Sequence, residues 1–456
     1  MTCYQARFWD IKKISDTARG RHRVRWATGG REHCKSFATK ALADAFLTTL
    51  KDAARDGTPF DPVTGLPARP KPTAPAEVTW YEHARGYAQM KWPGLAAKSR
   101  RATAEALTTI TLALTGRHPK APGPEVIRRA LFGYAFNAAS TGRPVPAEIT
   151  MALEWIAKAS MPVAALDEPA TVRAALNACA RRLDGKPAAA TTTRRKRAVF
   201  ANALGYAVEL RLLPASPLDR VQWKASAVAE TIDRRSVANP AQAGRLLAAV
   251  RAQGPRGEHM EAFFGCLYYA ALRPAEAVAL READCVLPAR GWGRIDLAAS
   301  APRAGTEWTD DGNCREERGL KHRADKETRS IPIPPVLVAM LRAHIARHGT
   351  GPGGRLFRTA RGGPLNDTGY GEVWQRARTL ALTPAQQASP LARRPYDLRH
   401  AAVSLWLNAG VPATEAARRA GHGVAVLLKV YANCIDGQAG PANQRISDAL
   451  DAPCSE

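Results

Sequence analysis

Hydrophobic and polar positions follow three different regimes along the 456 residues. The first holds short runs, Phe8-Trp9-Asp10-Ile11, His22-Arg23-Val24-Arg25-Trp26 and Cys34-Lys35-Ser36-Phe37, broken by Gly20 and Gly29-Gly30. Runs of that length with glycine punctuation predict three strands. From Lys40 to Ala54, Leu42, Phe46 and Leu50 recur at four-residue spacing, which predicts one helix with those residues on its buried face. A module of this size only just supports its own core. Leu66 to Pro75 then carries four prolines in ten residues and reads as an extended spacer. From Val78 to about Trp223 apolar and basic faces alternate at helical spacing around Ala97–Leu114, Glu125–Ala139, Ile149–Ala157 and Thr191–Leu212.

From about Arg234 the pattern is mixed. Met260–Ala271 reads as a buried helix, Asp284–Leu287, Arg294–Leu297 and Arg329–Ile333 as strands, and Val336–His348, Tyr370–Leu382, Leu398–Ala409 and Val424–Asn433 as helices. Polar, glycine-containing Ala301–Gly319 predicts an exposed loop. The expected fold is multidomain α+β. It comprises a small three-stranded sheet plus helix over 1–66, a proline-rich linker over 67–77 and an all-helical domain over 78–222. A second linker spans 223–236, and a mixed, mainly helical domain with a small antiparallel sheet spans 237–456. There is no repeat of solenoid period.

Charge narrows the partners. Lys and Arg number 66 against 41 Asp and Glu, a net +25, with pI near 10.2. Such a chain repels itself unless it sits beside a polyanion, and nucleic acid is the usual one. The membrane-surface alternative fails, because the longest apolar run, Phe263–Leu272, is half a bilayer span and no basic amphipathic segment stands out. The first residues hold no apolar stretch of a secretory signal, so a cytoplasmic protein is expected. Eight cysteines, at 3, 34, 179, 266, 285, 314, 434 and 454, form no CxxC pair and suit neither a disulfide framework nor a zinc site. Thr191-Thr192-Thr193-Arg194-Arg195-Lys196-Arg197 is expected to touch phosphates.

The candidate chemistry lies in the last third. Leu272-Arg273-Pro274-Ala275-Glu276 sets an arginine before a proline that opens a helix, and Tyr396-Asp397-Leu398-Arg399-His400 starts another. Free N–H groups at two helix starts, with two guanidinium forks, would clamp one phosphate. Gly421-His422 follows, and Tyr431 lies nine residues further on. The one Gly-Lys pair, Gly185-Lys186, precedes proline and is no phosphate loop.

In order and spacing these residues resemble the tyrosine recombinase (phage integrase) family. Its signature is an Arg–x–x–Glu, a hairpin Lys, a D-L-R-H box, a G-H pair and a late Y-A-N. The 23 residues from Arg399 to His422 and the 9 from His422 to Tyr431 are typical of it. Arg25-Trp26, Phe37-Ala38-Thr39-Lys40 and Thr64-Gly65-Leu66-Pro67 are similar to the N-terminal modules of actinobacterial integrases. The resemblance implies an arm-type DNA-binding module over 1–66, a core DNA-binding domain over 78–222 and a catalytic domain over 237–456. It implies that Arg273 and Arg399 hold the scissile phosphate, that His422 hydrogen-bonds it, and that Tyr431 attacks phosphorus to leave a 3′-phosphotyrosyl bond. Lys321, favoured over Lys326, would protonate the leaving 5′-oxygen. Glu276 would support Arg273.

One position departs from the family pattern. Tyr396 stands where members often carry His; it can donate a hydrogen bond but is a poor base, and His400 is the fallback, a position more often used for packing. Double-stranded attachment sites, a homotetramer on DNA, and an excision factor or DNA-bending protein are the implied partners. No cofactor or metal is implied, since Arg and Lys supply the charge. The alternatives are a type IB topoisomerase-like strand transferase and a non-catalytic DNA-binding protein.

Overall fold

The computed structural model describes residues 5–14, 21–67, 77–182, 185–224, 227, 231–320 and 327–434, with 443, 444, 446–448 and 450 beyond them. The proline-rich stretch 68–76 lies outside the described residues. Two units are present, 1–78 and 79–456.

In the first unit β1 (Ala6–Phe8), β2 (Lys12–Ile14), β3 (Arg21–Thr28) and β4 (Arg31–Phe37) form an antiparallel sheet. The three-stranded expectation is corrected to four. The first predicted run breaks at Trp9–Ile11, and β3, eight residues long, pairs β1 with its Trp26–Thr28 end and β2 with its Arg21–Arg23 end. Val24, Trp26 and Thr28 alternate with arginines along β3 and face inward. Helix α1 (Lys40–Arg55), capped by the Thr39 hydroxyl, covers that face with Ala43, Leu47 and Leu50. Of the expected stripe Leu50 is buried and Phe46 packs against the core, but Leu42 is exposed and Ala43 and Leu47 take the other inward positions.

In the second unit α2 (Trp80–Lys91), α3 (Ala97–Ala113), α4 (Pro124–Ala130), α5 (Ala147–Ala159), α6 (Pro169–Cys179) and α7 (Ala190–Glu209) pack around Trp80, Leu107, Ile110, Ile149, Leu176 and Phe200. The basic cluster on α7 is divided. Arg194, Arg195 and Arg197 are exposed, but Lys196 is buried and its ammonium donates to Thr109 Oγ1 at 3.0 Å on α3. A buried lysine needs such a partner, so this one belongs to the bundle and is withdrawn from DNA.

The same unit continues with α8 (Pro240–Arg251), α9 (Gly254–Tyr269) and α10 (Pro274–Ala279). Strands β5 (Cys285–Val286), β6 (Gly293–Leu297), β7 (Ala299–Ser300), β8 (Arg318–Gly319) and β9 (Arg329–Ile333) follow. Next come α11 (Pro335–His348), α12 (Asp367–Ala381) and α13 (Pro384–Ala388). Helices α14 (Asp397–Asn408), α15 (Ala413–Ala420) and α16 (Val424–Tyr431) close it. The sheet is antiparallel with order β5-β6-β9, and β7 pairs with β8 separately. Helix α9 packs against α8, α11 and α14, which is why its apolar residues run nearly all round it.

The stretch expected as an exposed loop between β7 and β8 is so only in part: residues 310–314 are exposed, but the chain around Trp308 is packed. Trp308 is buried, its ring 5.0 Å from that of Phe132 and 6.0 Å from that of Trp92. Arg100 of α3 is buried beside it, donates to both oxygens of Asp310 at 2.6 and 3.0 Å, and lies 4.6 Å from the centre of the Trp92 ring. The polar sequence concealed one large apolar side chain and the acid that a buried guanidinium requires. No helix of the described residues is long and apolar enough to cross a membrane.

Candidate active site

The site is assembled from the link after α9, the start of β9, the first turn of α14, the α15–α16 turn and the end of α16. Ala271 has φ 50, a left-handed conformation that costs a residue bearing a Cβ roughly 1–2 kcal/mol. Its carbonyl accepts from Arg399 Nη1, so the turn is held from inside.

Glu276 is buried and organises the first arginine. Its carboxylate accepts from Arg273 N at 2.8 Å, Arg273 Nη1 at 2.6 Å, and both terminal nitrogens of Arg329 at 3.0 and 2.7 Å. Burial alone would raise this carboxyl, but Arg329, then Arg273 and Arg399, outweigh it and hold it at about 2. The helix-start expectation is therefore corrected. The first N–H of this cap is occupied by the chain's own carboxylate, and in α14 the Asp397 and Arg399 N–H groups donate to Arg394 and Tyr396 carbonyls. A bound anion would meet guanidinium groups here instead of helix N-termini.

Arg399 is fully buried. Its Nη2 donates to the Ala420 carbonyl and, at 2.9 Å, to His422 Nε2. Arg273 keeps a quarter of its side chain exposed (26%) and donates through Nη2 to the Gly421 carbonyl at 3.0 Å. Gly421 ends α15 at φ 66, a conformation that favours glycine, and a Cβ there would press on the Arg329 guanidinium. The α15–α16 turn thus presents carbonyls to both arginines and sets His422 between them.

His422 accepts through Nε2, which places its proton on Nδ1, and Nδ1 has no partner among the described residues. Burial, with Arg399 and Arg273 beside it, lowers its pKa to about 3. Tyr431 is fully buried, its hydroxyl 3.0 Å from His400 Nδ1 and its ring 6.1 Å from that of His422. Burial pushes the phenol well above its usual range, against the pull of Arg399. Burial likewise holds His400 neutral, at about 4. Tyr396 packs edge-on against His400, ring centres 5.1 Å apart, and its phenol lies near the Arg273 guanidinium.

Of the residues singled out in the sequence, Arg273, Arg399, His422, Tyr396 and Tyr431 converge, and His400 joins them at the phenol. Lys321 and Lys326 both lie outside the described residues, between β8 and β9. Arg329 was missed. Its signal was legible: in Arg329–Ile333 the inward register carries Arg329, Ile331 and Ile333, and an arginine on a buried strand face demands a buried acid. Chemically, the cluster offers two fixed guanidinium groups, an imidazole N–H and a phenol beside a neutral imidazole.

The site's histidines also set an acid limit on stability. His400 and His422 are neutral in the fold down to about 4 and 3, against 6.5 when exposed. Between those values the unfolded chain binds more protons, so stability is full above about pH 6.5 and is lost as pH falls toward 4. Glu276 adds a further loss below about 4.5. Melting temperature measured from pH 7 to 4 should fall, and His422→Gln should flatten that slope. An unchanged slope would mean that His422 is not buried neutral.

No protein-family model matches this chain, and no curated protein does. Among solved structures it is similar to the Tn1549 transposon integrase in complex with transposon right end DNA. Identity there is 16% and the TM-score 0.47, over 72% of this chain and 99% of that one. It is also similar to the XerH site-specific recombinase bound to difH substrate, at 10% identity and a TM-score of 0.43, over 78% and 97%. Lambda integrase bound to DNA gives 12% and 0.44, over 75% and 91%.

Proposed function

We propose that the chain is a tyrosine-type site-specific DNA recombinase. The observation that carries the reading is Tyr431: its hydroxyl hydrogen-bonds neutral His400 at 3.0 Å in a pocket built by Arg399, Arg273 and His422. Burying a phenol among cations and imidazoles serves no packing purpose that phenylalanine would not serve better.

In the proposed reaction Arg273, Arg399 and the His422 Nδ1–H bind the non-bridging oxygens of one phosphodiester and neutralise charge as phosphorus becomes pentavalent. The Tyr431 oxygen attacks phosphorus while its proton passes to His400. The bond to the 5′-oxygen breaks, and that oxygen takes a proton from Lys321. A 3′-phosphotyrosine and a 5′-hydroxyl result, and the reverse attack by another 5′-hydroxyl rejoins the strand. Assigning the base to His400 in place of Tyr396 follows from its position at the phenol. Arg273 and His422 are partly exposed, but Arg399, Tyr431 and the His422 Nδ1 atom are buried, so cleavage requires the elements that cover them to shift as DNA binds.

In this reading residues 1–66 bind arm sites, 78–222 grip core-site DNA and 237–456 carry the chemistry. Four copies assemble on paired attachment sites in the cytoplasm, with an excision factor or bending protein setting direction. The test is covalent capture. A nicked duplex taken from the flanks of the chain's own coding sequence should trap a protein–DNA adduct. DNA bound but never cut would leave a non-catalytic binder, and relaxation of plasmids lacking that site would indicate a topoisomerase-like enzyme.

A further inference from the structure

Outside the candidate active site, three histidines meet where α9 and α11 pack together. His344 and His348, four residues apart on α11, share one helix face, and His259 reaches them from α9. One ring nitrogen from each lies within 4.8 Å of the other two. Ring centres are 4.8 Å apart for His259 and His344, and 5.0 Å for each of the other pairs. We propose that His259, His344 and His348 form a binding site for one divalent transition-metal ion of the zinc class.

Two of the three rings are already oriented as ligands are. His344 Nε2 lies 2.9 Å from the Leu356 carbonyl, and His259 Nε2 lies 2.8 Å from the Arg358 carbonyl. Each Nε2–H donating to a carbonyl fixes the tautomer and leaves Nδ1 with its lone pair, the arrangement in which metal-bound histidines are held. Arg358 N also approaches His259 Nε2, at 3.3 Å, but the shorter contact to the carbonyl decides the tautomer. The strongest single sign is His344: it is 4% exposed, and its Nδ1 has no partner among the described residues. A buried lone pair with no donor is rare in folded chains.

With Zn–N bonds of ~2.0–2.1 Å, tetrahedral ligand atoms stand ~3.4 Å apart, so the rings must close by up to about 1.4 Å. His259 and His348 are only half-buried, so the closure falls on them more than on buried His344. A cavity of about 510 Å³ opens beside them, lined by His259, His348, Arg256 and Arg358, and gives a route in and room for a fourth ligand. The two arginines are engaged elsewhere, Arg256 with Gly369 O and Glu372 and Arg358 with His348 O. Their charge favours an anionic fourth ligand such as hydroxide or chloride. Such an ion would clip α9 and α11 together beside the 356–358 segment, about ten residues, or roughly 15 Å of helix, before α9 ends.

The probe is the metal alone on the full chain, stripped first with chelator. Zn2+ titration should show one saturating equivalent. Co2+ should give the visible bands of a tetrahedral nitrogen-bound ion without the near-ultraviolet bands of thiolate ligation. His348→Ala and, independently, His259→Gln should each weaken Zn2+ by more than about 100-fold, since losing even a ligand's outer partner costs 10–100-fold. Zn2+ should raise the melting temperature of the wild-type chain and of neither variant. Both substituted residues are half-exposed, so folding of the variants can be checked separately. Absence of saturable binding, thiolate bands, or wild-type affinity in both variants would overturn the site.

Discussion

Tyr431→Phe should abolish covalent attachment to DNA altogether while leaving DNA affinity within about twofold of the wild type. The substitution removes one oxygen. The ring stays in its buried place against His422 and His400, and affinity rests on the many exposed arginines and lysines of a chain with net charge +25. The loss on the protein side is the single 3.0 Å hydrogen bond to His400, worth about 1 kcal/mol. A fold that unravels on this change would therefore contradict the structure as well as the mechanism. The measurement is an adduct assay on a nicked duplex with peptide mapping of the attachment point. An adduct that survives and maps to Tyr396 would move the nucleophile. Loss of adduct in Tyr431→Phe, set beside a slowed but persistent adduct in His400→Ala, would separate the attacking group from the group that takes its proton.

How much of this was legible before the structure differs by element. The helices around Ala97–Leu114 and Tyr370–Leu382 were readable from a periodic buried face, whereas that around Leu398–Ala409 buries side chains nearly all round and was readable from the Pro395 and Gly410 that bound it. The N-terminal sheet was readable in its alternation but not in its count, because a strand's partners depend on the length of β3, which no local pattern reports. The docking of Trp308 against the α2–α4 region was not readable, since an isolated tryptophan in a polar loop carries no periodicity.

In the candidate site, residue spacing located Arg273, Arg399, His422 and Tyr431 but said nothing of partners. That Glu276 is shared between Arg273 and Arg329 follows from contacts 53 residues apart in sequence. His400 illustrates the remaining gap. Its position beside Arg399 was plain, but its aim at Tyr431 is set by the crossing of α14 and α16, which only the packed chain defines.

The two arginines should separate when each is replaced by alanine. Arg273 keeps 26% of its side chain exposed, and Glu276 retains both hydrogen bonds from Arg329 when Arg273 is lost. Arg273→Ala should therefore fold with little change in melting temperature, yet cut about 10²–10³-fold more slowly, the loss expected when one donor to a developing oxyanion is removed. Arg399 is fully buried and holds the Ala271 and Ala420 carbonyls together with His422. Its removal leaves those acceptors unpaired in the interior at roughly 1–3 kcal/mol each, so Arg399→Ala should lose stability as well as rate. Arg399→Lys restores charge but not the planar fork that reaches several acceptors at once, and should recover part of the stability and little of the rate. Single-turnover cleavage and thermal melts on the three variants give both quantities. Equal stability loss in Arg273→Ala and Arg399→Ala would mean that Arg273 is a structural arginine, and a normal cleavage rate in Arg273→Ala would take it out of the reaction.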